Sequence, residues 1–208
     1  MGVARDERAR LSDLLTEVGP DAPTLCDGWT TRDLAAHLAV RDRRPDAAAG
    51  ILVKPLAGYL DRVQRGYAAK PWAELVDLVR TGPPLLSVYR PPVVDELLNT
   101  AEYFIHHEDV RRAAEGWEPR PSDAARDTAL WTAVARTARL HFRNSPVGVV
   151  LRTPEGKAVT AKRGQNTVAI VGAPGELLLD AFGRAQTRVA FEGEQSSIGV
   201  VRGLSRGL

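Results

Sequence analysis

The apolar residues of this chain repeat with two different periods, and the change of period constrains the fold more than any other feature. Up to about residue 143 they recur every three or four positions, as at Leu11, Leu14, Leu15 and Val18, which is the period of a helix with one buried stripe. One predicted helix is capped by Thr30 or Thr31 and ended by Pro45. The other helices are predicted over residues 6–18, 56–69, 72–80, 94–114 and 122–142.

Short β-branched runs replace this period after Pro146. Strands are predicted over residues 147–151, 167–171 and 187–191, with one short helix over 175–183. The sequence therefore predicts the α+β class, with a helical bundle over residues 1–143 and a small α/β domain over 146–208.

Composition and charge limit the functional classes. The chain is 44% hydrophobic and 26% charged, which suffices for a sizeable core. No apolar run is long enough to span a bilayer, the first ten residues are charged, and Cys26 has no second cysteine to pair with, so we expect a cytoplasmic protein without a membrane partner. A net charge of +2 argues against a nucleic-acid partner.

Three residues on two predicted helices form a candidate metal site. Glu102 and His106 are one helical turn apart and share a face, which Asp109 extends. His37 lies in the apolar stripe of another helix. Two ligands on one helix and a third from a facing helix leave one coordination position open, which is the pattern of a catalytic rather than a structural metal.

The same residues also fit simpler interpretations. Glu102 and His106 are typical of a solvated charge pair, and His37 is typical of a satisfied core histidine. The metalloprotease motif H-E-x-x-H fails after His107 and Glu108, because Arg111 stands where its second histidine would be. His107 itself is predicted at the edge of the buried face or exposed.

Three segments resemble a known family. The run CDGWTTRDLAAHL at residues 26–38 is similar to the W-T-x-x-D-L-x-x-H-L signature of the DinB-like superfamily, in its mycothiol-dependent maleylpyruvate isomerase branch. The run EYFIHHEDVR at residues 102–111 is similar to that branch's E-x3-H-x2-D motif. Residues 172–184 resemble the branch's small C-terminal domain, which is related to sterol-carrier folds. The runs at residues 37–46 and 106–112 also resemble a subgroup of this branch from which no activity carries over.

The resemblance implies a DinB-like four-helix bundle that binds a divalent metal, usually zinc, through His37, Glu102 and His106. It also implies mycothiol, or another low-molecular-weight thiol, as a cofactor and a small electrophile as substrate. Arg184 resembles a C-terminal arginine that this branch brings toward its site, and we assign catalytic roles to Arg184 and Asp109. Each also has a simpler interpretation, as a surface arginine at a helix end and as a surface acid.

Other residues near the predicted site are open to more than one interpretation. Cys26 suits a redox partner, an extra ligand or a buried thiol. Trp29 is predicted to pack at the start of its helix. The basic run at residues 41–44 suits either a solvated face or the attraction of an anionic ligand near the site.

Three functions compete at this point. The first is a thiol-dependent transferase or isomerase that uses an open metal site. The second is a metal-binding sensor or sequestering protein without catalysis, and the third is a nucleic-acid partner. The sequence does not decide between a monomer and a homodimer, nor does it assign a role to His141.

Overall fold

A computed structural model describes residues 2–48, 54–84, 87 and 91–206. Its contacts divide the chain into two compact units, Met1–Glu118 and Pro119–Leu208. The first unit is helical, with α1 (Val3–Val18), α2 (Thr31–Arg43), α3 (Pro45–Ala48), a 3-10 turn (Lys54–Leu56), α4 (Ala57–Ala68), α5 (Trp72–Thr81) and α6 (Pro92–Arg111). No helix among the described residues is both long and apolar enough to cross a membrane.

The core of the first unit lies between α1, α2, α5 and α6. Leu11 and Leu15 of α1 are fully buried with Leu34 and Leu38 of α2, and Tyr103 of α6 joins them. These positions keep the three-and-four spacing that predicts the helices. Burial of a leucine side chain stabilises the fold by about 1.5–3 kcal/mol, so this cluster holds together the helices that carry the candidate metal ligands.

The second unit combines helices with a four-stranded sheet. It contains α7 (Ala124–His141), β1 (Val149–Arg152), β2 (Ala158–Lys162), β3 (Val168–Val171), α8 (Pro174–Ala181), β4 (Ala190–Glu192) and α9 (Gln195–Arg202). The strand order is β2-β1-β3-β4, in which β1 pairs antiparallel with β2 and parallel with β3, and β4 pairs antiparallel with β3. Alternate residues of β1 and β3 are buried, which gives the sheet one apolar face.

The α+β class is confirmed, but the structure divides the chain at a different place from the one predicted at residues 144–146. Helix α7 precedes that boundary and packs on α8 and β2, so it belongs to the second unit. Its helical period predicts the helix correctly but carries no information about the partner of its buried face. Strand β2 and helix α9 were not predicted, because each is short and most of its residues are not buried.

Candidate metal centre

The start of α2 fixes the position of the first candidate ligand. Thr30 is the N-cap, and a capping box joins it to Asp33, whose Oδ2 accepts from the Thr30 backbone N–H at 3.0 Å. Thr31, the other predicted cap, is instead buried and donates its hydroxyl to the Gly19 carbonyl at 2.6 Å. His37 follows in the second turn of α2, and its side chain is half-buried.

The structure brings His37, Glu102 and His106 together. The Nε2 atoms of His37 and His106 each lie 3.3 Å from Oε1 of Glu102. One ligand atom from each residue lies within 4.8 Å of the other two, and the two imidazole rings are 5.3 Å apart. Their side chains are 14%, 23% and 11% exposed, so solvent reaches the cluster only in part. The structure therefore brings α2 and α6 together at this point.

The nitrogen–oxygen separations in this cluster suit a cation with tetrahedral coordination. Ligand atoms about 2.0–2.1 Å from a zinc ion in tetrahedral geometry are about 3.3–3.4 Å from each other. Both nitrogen–oxygen separations in the cluster have this value. Two imidazoles and one carboxylate are also donors that zinc accepts, so the residues present fit the group that the sequence predicts.

Asp109 and Cys26 extend the cluster on the other side of the His106 ring. Nδ1 of His106 donates to Oδ2 of Asp109 at 2.9 Å, and Sγ of Cys26 donates to the same oxygen at 3.3 Å. The Leu25 backbone N–H donates to the Asp109 carbonyl at 3.0 Å, which ties the loop that carries Cys26 to the end of α6. Cys26, His106 and Asp109 form a second group with ligand spacing, and it shares His106 with the first.

Arg41 supports the Glu102 carboxylate. Its Nε lies 3.4 Å from Oε1 of Glu102, and its Nη1 donates to Oδ1 of Asn99 at 2.6 Å. Burial disfavours the charged form of Glu102, but Arg41, His106 and His37 outweigh this and hold the pKa of the carboxyl well below its usual range. The Glu102 side chain is therefore a carboxylate anion in the folded protein.

His106 lies between two carboxylates. Burial lowers the pKa of the imidazole, but Asp109, Cys26 and Glu102 more than compensate, so the pKa of His106 lies well above its usual value. In the metal-free protein a proton on Nε2 therefore faces Glu102, at the position where a cation would bind. Asp109 holds the other proton on Nδ1, which leaves Nε2 as the ligand atom once that site is deprotonated.

Some predictions around the site differ from the structure. The predicted edge or exposed position of His107 is wrong, because α1 covers this side of α6. His107 is buried, and its Nδ1 lies 3.0 Å from Oε2 of Glu7. The basic run also differs from a purely solvated face, since Arg41 contacts Glu102, whereas Arg44 forms a surface pair with Asp46.

The other predicted residues lie where packing places them. Trp29 is half-buried against the core of the first unit, with its ring 5.2 Å from that of His37. Arg184 belongs to the second unit, where its Nη1 donates to the Phe182 carbonyl at 3.0 Å. His141 is buried beside Phe182, at 4.2 Å between rings. Neither Asn99 nor the buried pair of Asp42 and Tyr103 was predicted from the sequence to lie beside the site. Arg41, which is one turn after His37 and on the same face of α2, is the sequence signal that indicates this region.

Comparison with solved structures identifies the fold of this chain. No protein-family model and no curated protein matches the chain. The crystal structure of the mycothiol-dependent maleylpyruvate isomerase matches with a TM-score of 0.62 over 92% of this chain and 91% of that one, at 18% sequence identity. This chain has the fold of that isomerase. A histidine-to-alanine variant of the isomerase matches with the same TM-score and coverage at 19% identity. The fold of the mycothiol-dependent maleylpyruvate isomerase is the one that the two sequence motifs predict.

Proposed function

We propose that this protein binds a divalent metal ion, zinc in the first place, through His37, Glu102 and His106. The observation that carries the proposal is the 3.3 Å spacing of both imidazole nitrogens from one carboxylate oxygen. When bound, a divalent ion with two neutral imidazoles and one carboxylate keeps a net charge of about +1 and acidifies a thiol or water at its open position.

The chain's own residues prepare the ligands. Asp109 accepts from Nδ1 of His106 and so fixes both its tautomer and the direction of Nε2. Arg41 and Asn99 restrain Glu102, because the guanidinium bridges the two side chains. Trp29 packs beside His37 and limits the rotation of that imidazole. Each ligand thus has a neighbour that sets its orientation.

We further propose that the protein is a thiol-dependent transferase or isomerase. The isomerase that shares its fold is described as mycothiol-dependent, so mycothiol or a related low-molecular-weight thiol is the proposed cofactor. The thiol, after loss of its proton, would add through sulfur to an electrophilic carbon of a multiple bond, and the π electrons of that bond would take up a proton. Elimination of the thiolate with loss of a proton would restore the multiple bond in an isomerisation, whereas in a transfer the sulfur would stay attached to the protonated adduct. Asp109 and Arg184 are the candidate catalytic residues of this reaction.

A cobalt-loaded protein tests the thiol step directly. Addition of mycothiol to the wild type should produce a sulfur-to-cobalt charge-transfer band, and the S-methylated thiol should produce none. The Glu102→Gln variant serves as the control for adventitious cobalt. An unchanged spectrum on addition of the free thiol contradicts a thiol-dependent enzyme.

A metal-binding protein without catalysis is the second candidate. It is favoured by one specific observation, the grouping of Cys26 and Asp109 with His106 at ligand spacing. A metal held by this second group, on the Nδ1 side of His106, would have protein ligands only and would not use the open position that a thiol or substrate needs. In that case cobalt would bind with a cysteine-dependent spectrum that Cys26→Ser removes and added thiol leaves unchanged.

The finer assignments that the resemblance implies belong to the same proposal. They are a DinB-like four-helix bundle for the first unit, a sterol-carrier-like character for the second and a cytoplasmic location. A small electrophile, rather than nucleic acid or membrane, is the proposed partner, and the protein is a monomer or a homodimer.

A further inference from the structure

Four of the six residues that line a cleft in the second unit are cationic. The cleft has a volume of about 410 Å³ and lies between the end of α7 and strand β2. Arg139 and Arg143 line it from the helical side, and Lys162 and Arg163 line it from the strand and the residue that follows. Thr160 and Ala161 complete the lining, which includes no carboxylate.

The charges of this cationic cleft are not neutralised by the protein. Arg143 donates through Nη1 to the Leu140 carbonyl at 2.8 Å, and Lys162 donates through Nζ to the Arg143 carbonyl at 2.8 Å. Within the described part of the chain, none of the four cations forms an ion pair with a carboxylate. By contrast, Arg152 of the same unit pairs with Glu192. Four like charges around one cleft repel each other, and an anion between them would relieve that repulsion.

The charge of the whole unit acts in the same direction. Residues 119–208 contain 13 basic and 7 acidic residues, whereas residues 1–118 contain 15 basic and 19 acidic residues. The near-neutral total therefore conceals a net charge of +6 on the second unit and −4 on the first. A positive field over the second unit attracts anions to its surface and is strongest where low-dielectric walls concentrate it.

We infer that this cationic cleft binds a small molecule that carries phosphate groups. Its volume lies within the range of about 300–1,000 Å³ that small-molecule sites occupy. Arginine forks match phosphate oxygens in pairs, and three of the four cations are arginines. No aromatic side chain lines the cleft to stack a base, so the features favour a compact phosphate ligand over single-stranded nucleic acid.

Titration calorimetry with inorganic pyrophosphate tests this inference. The variant Arg139→Gln with Arg163→Gln removes two cations from the cleft. The variant Arg152→Gln with Lys157→Gln removes the same charge from two positions outside it, half-buried Arg152 and exposed Lys157. We expect the first variant to weaken pyrophosphate binding at least a hundredfold, about tenfold for each charge-assisted contact, and the second to weaken it less than threefold. Higher salt should weaken binding to the wild type.

Four results would overturn the inference. The first three are the absence of pyrophosphate binding to the wild type, equal loss in the two variants, and tight binding of a single-stranded oligonucleotide that pyrophosphate does not displace. The fourth concerns the metal centre. Because pyrophosphate chelates divalent metals, the titration is repeated on Glu102→Gln. Binding that this substitution abolishes would locate the pyrophosphate at the metal centre, and it would refute the cleft without refuting the proposed metal site.

Discussion

Replacement of Asp109 by asparagine should weaken metal binding without changing any of the three proposed ligands. The Asp109 side chain is fully buried, and its Oδ2 accepts from His106 Nδ1 at 2.9 Å and from Cys26 Sγ at 3.3 Å. Asparagine keeps the shape but removes the negative charge, so the His106 imidazole becomes less basic and less firmly oriented. Loss of such a partner of a ligand histidine weakens metal affinity about 10–100-fold, which is about 1.4–2.7 kcal/mol.

The affinity is measured by competition for zinc against a chromophoric chelator at a fixed pH. Asp13→Asn is the matched control, because it makes the same chemical change on α1, where Asp13 is 71% exposed and pairs with Arg80. Circular dichroism and urea unfolding of the metal-free proteins separate lost affinity from lost fold. An Asp109→Asn variant that is folded and binds zinc within twofold of the wild type would refute the orienting role of Asp109.

Three further predictions concern the other histidines and the pH dependence of the site. His107→Ala removes the buried partner of Glu7 and should lower the free energy of unfolding, measured by urea titration, by about 3 kcal/mol. Lys70→Ala breaks an exposed pair and should lower it by less than about 1 kcal/mol. Burial, reinforced by the charge of Arg143, lowers the pKa of His141 to about 4. As the pH falls, the unfolded chain therefore binds a proton at His141 at a higher pH than the folded chain does. Stability contributed by neutral His141 should therefore be complete above about pH 6.5 and decline by about 3 kcal/mol by pH 4, a decline that His141→Phe removes. Metal affinity should rise with pH, because His106 must lose a proton to bind, and calorimetry in buffers of different ionisation enthalpy should detect proton release.

Each of these predictions has a result that contradicts it. Equal losses in His107→Ala and Lys70→Ala would show that the α1–α6 pair contributes no more than a surface pair. An acid transition of the same size in wild type and His141→Phe would place the titrating group elsewhere. Metal affinity that is constant between pH 6 and 8 would mean that no proton competes for Nε2 of His106.

Local periodicity was sufficient to place Glu102 and His106 on one face of α6 and to predict the helix that carries His37, whereas their proposed role as ligands came from the family resemblance. Glu102 and His106 are one turn apart, and a helix places them side by side regardless of the rest of the fold. The Thr30 cap likewise depends on a box that closes within four residues. The packing of α2 against this face was suggested by the apolar stripe around His37 and by the resemblance of the two motifs.

Longer-range contacts were not predictable in this way. His107 is one residue beyond the ligand face, and only the packing of α1, 100 residues earlier in the chain at Glu7, buries it. The apolar period of α7 likewise predicts the helix but not the elements, α8 and β2, on which it packs. Strand β2 has one buried residue, Ala161, and its pairing with β1 rather than its side chains determines that it is a strand.

Metal content is the measurement that tests the central proposal most directly. Elemental analysis of protein purified without chelator should give about one divalent metal ion per chain for the wild type. His37→Ala, Glu102→Gln and His106→Ala should each lose it, while Asp13→Asn retains it. A wild type without metal that also takes up none from added zinc, or an occupancy that all three ligand substitutions leave unchanged, would contradict the proposed centre.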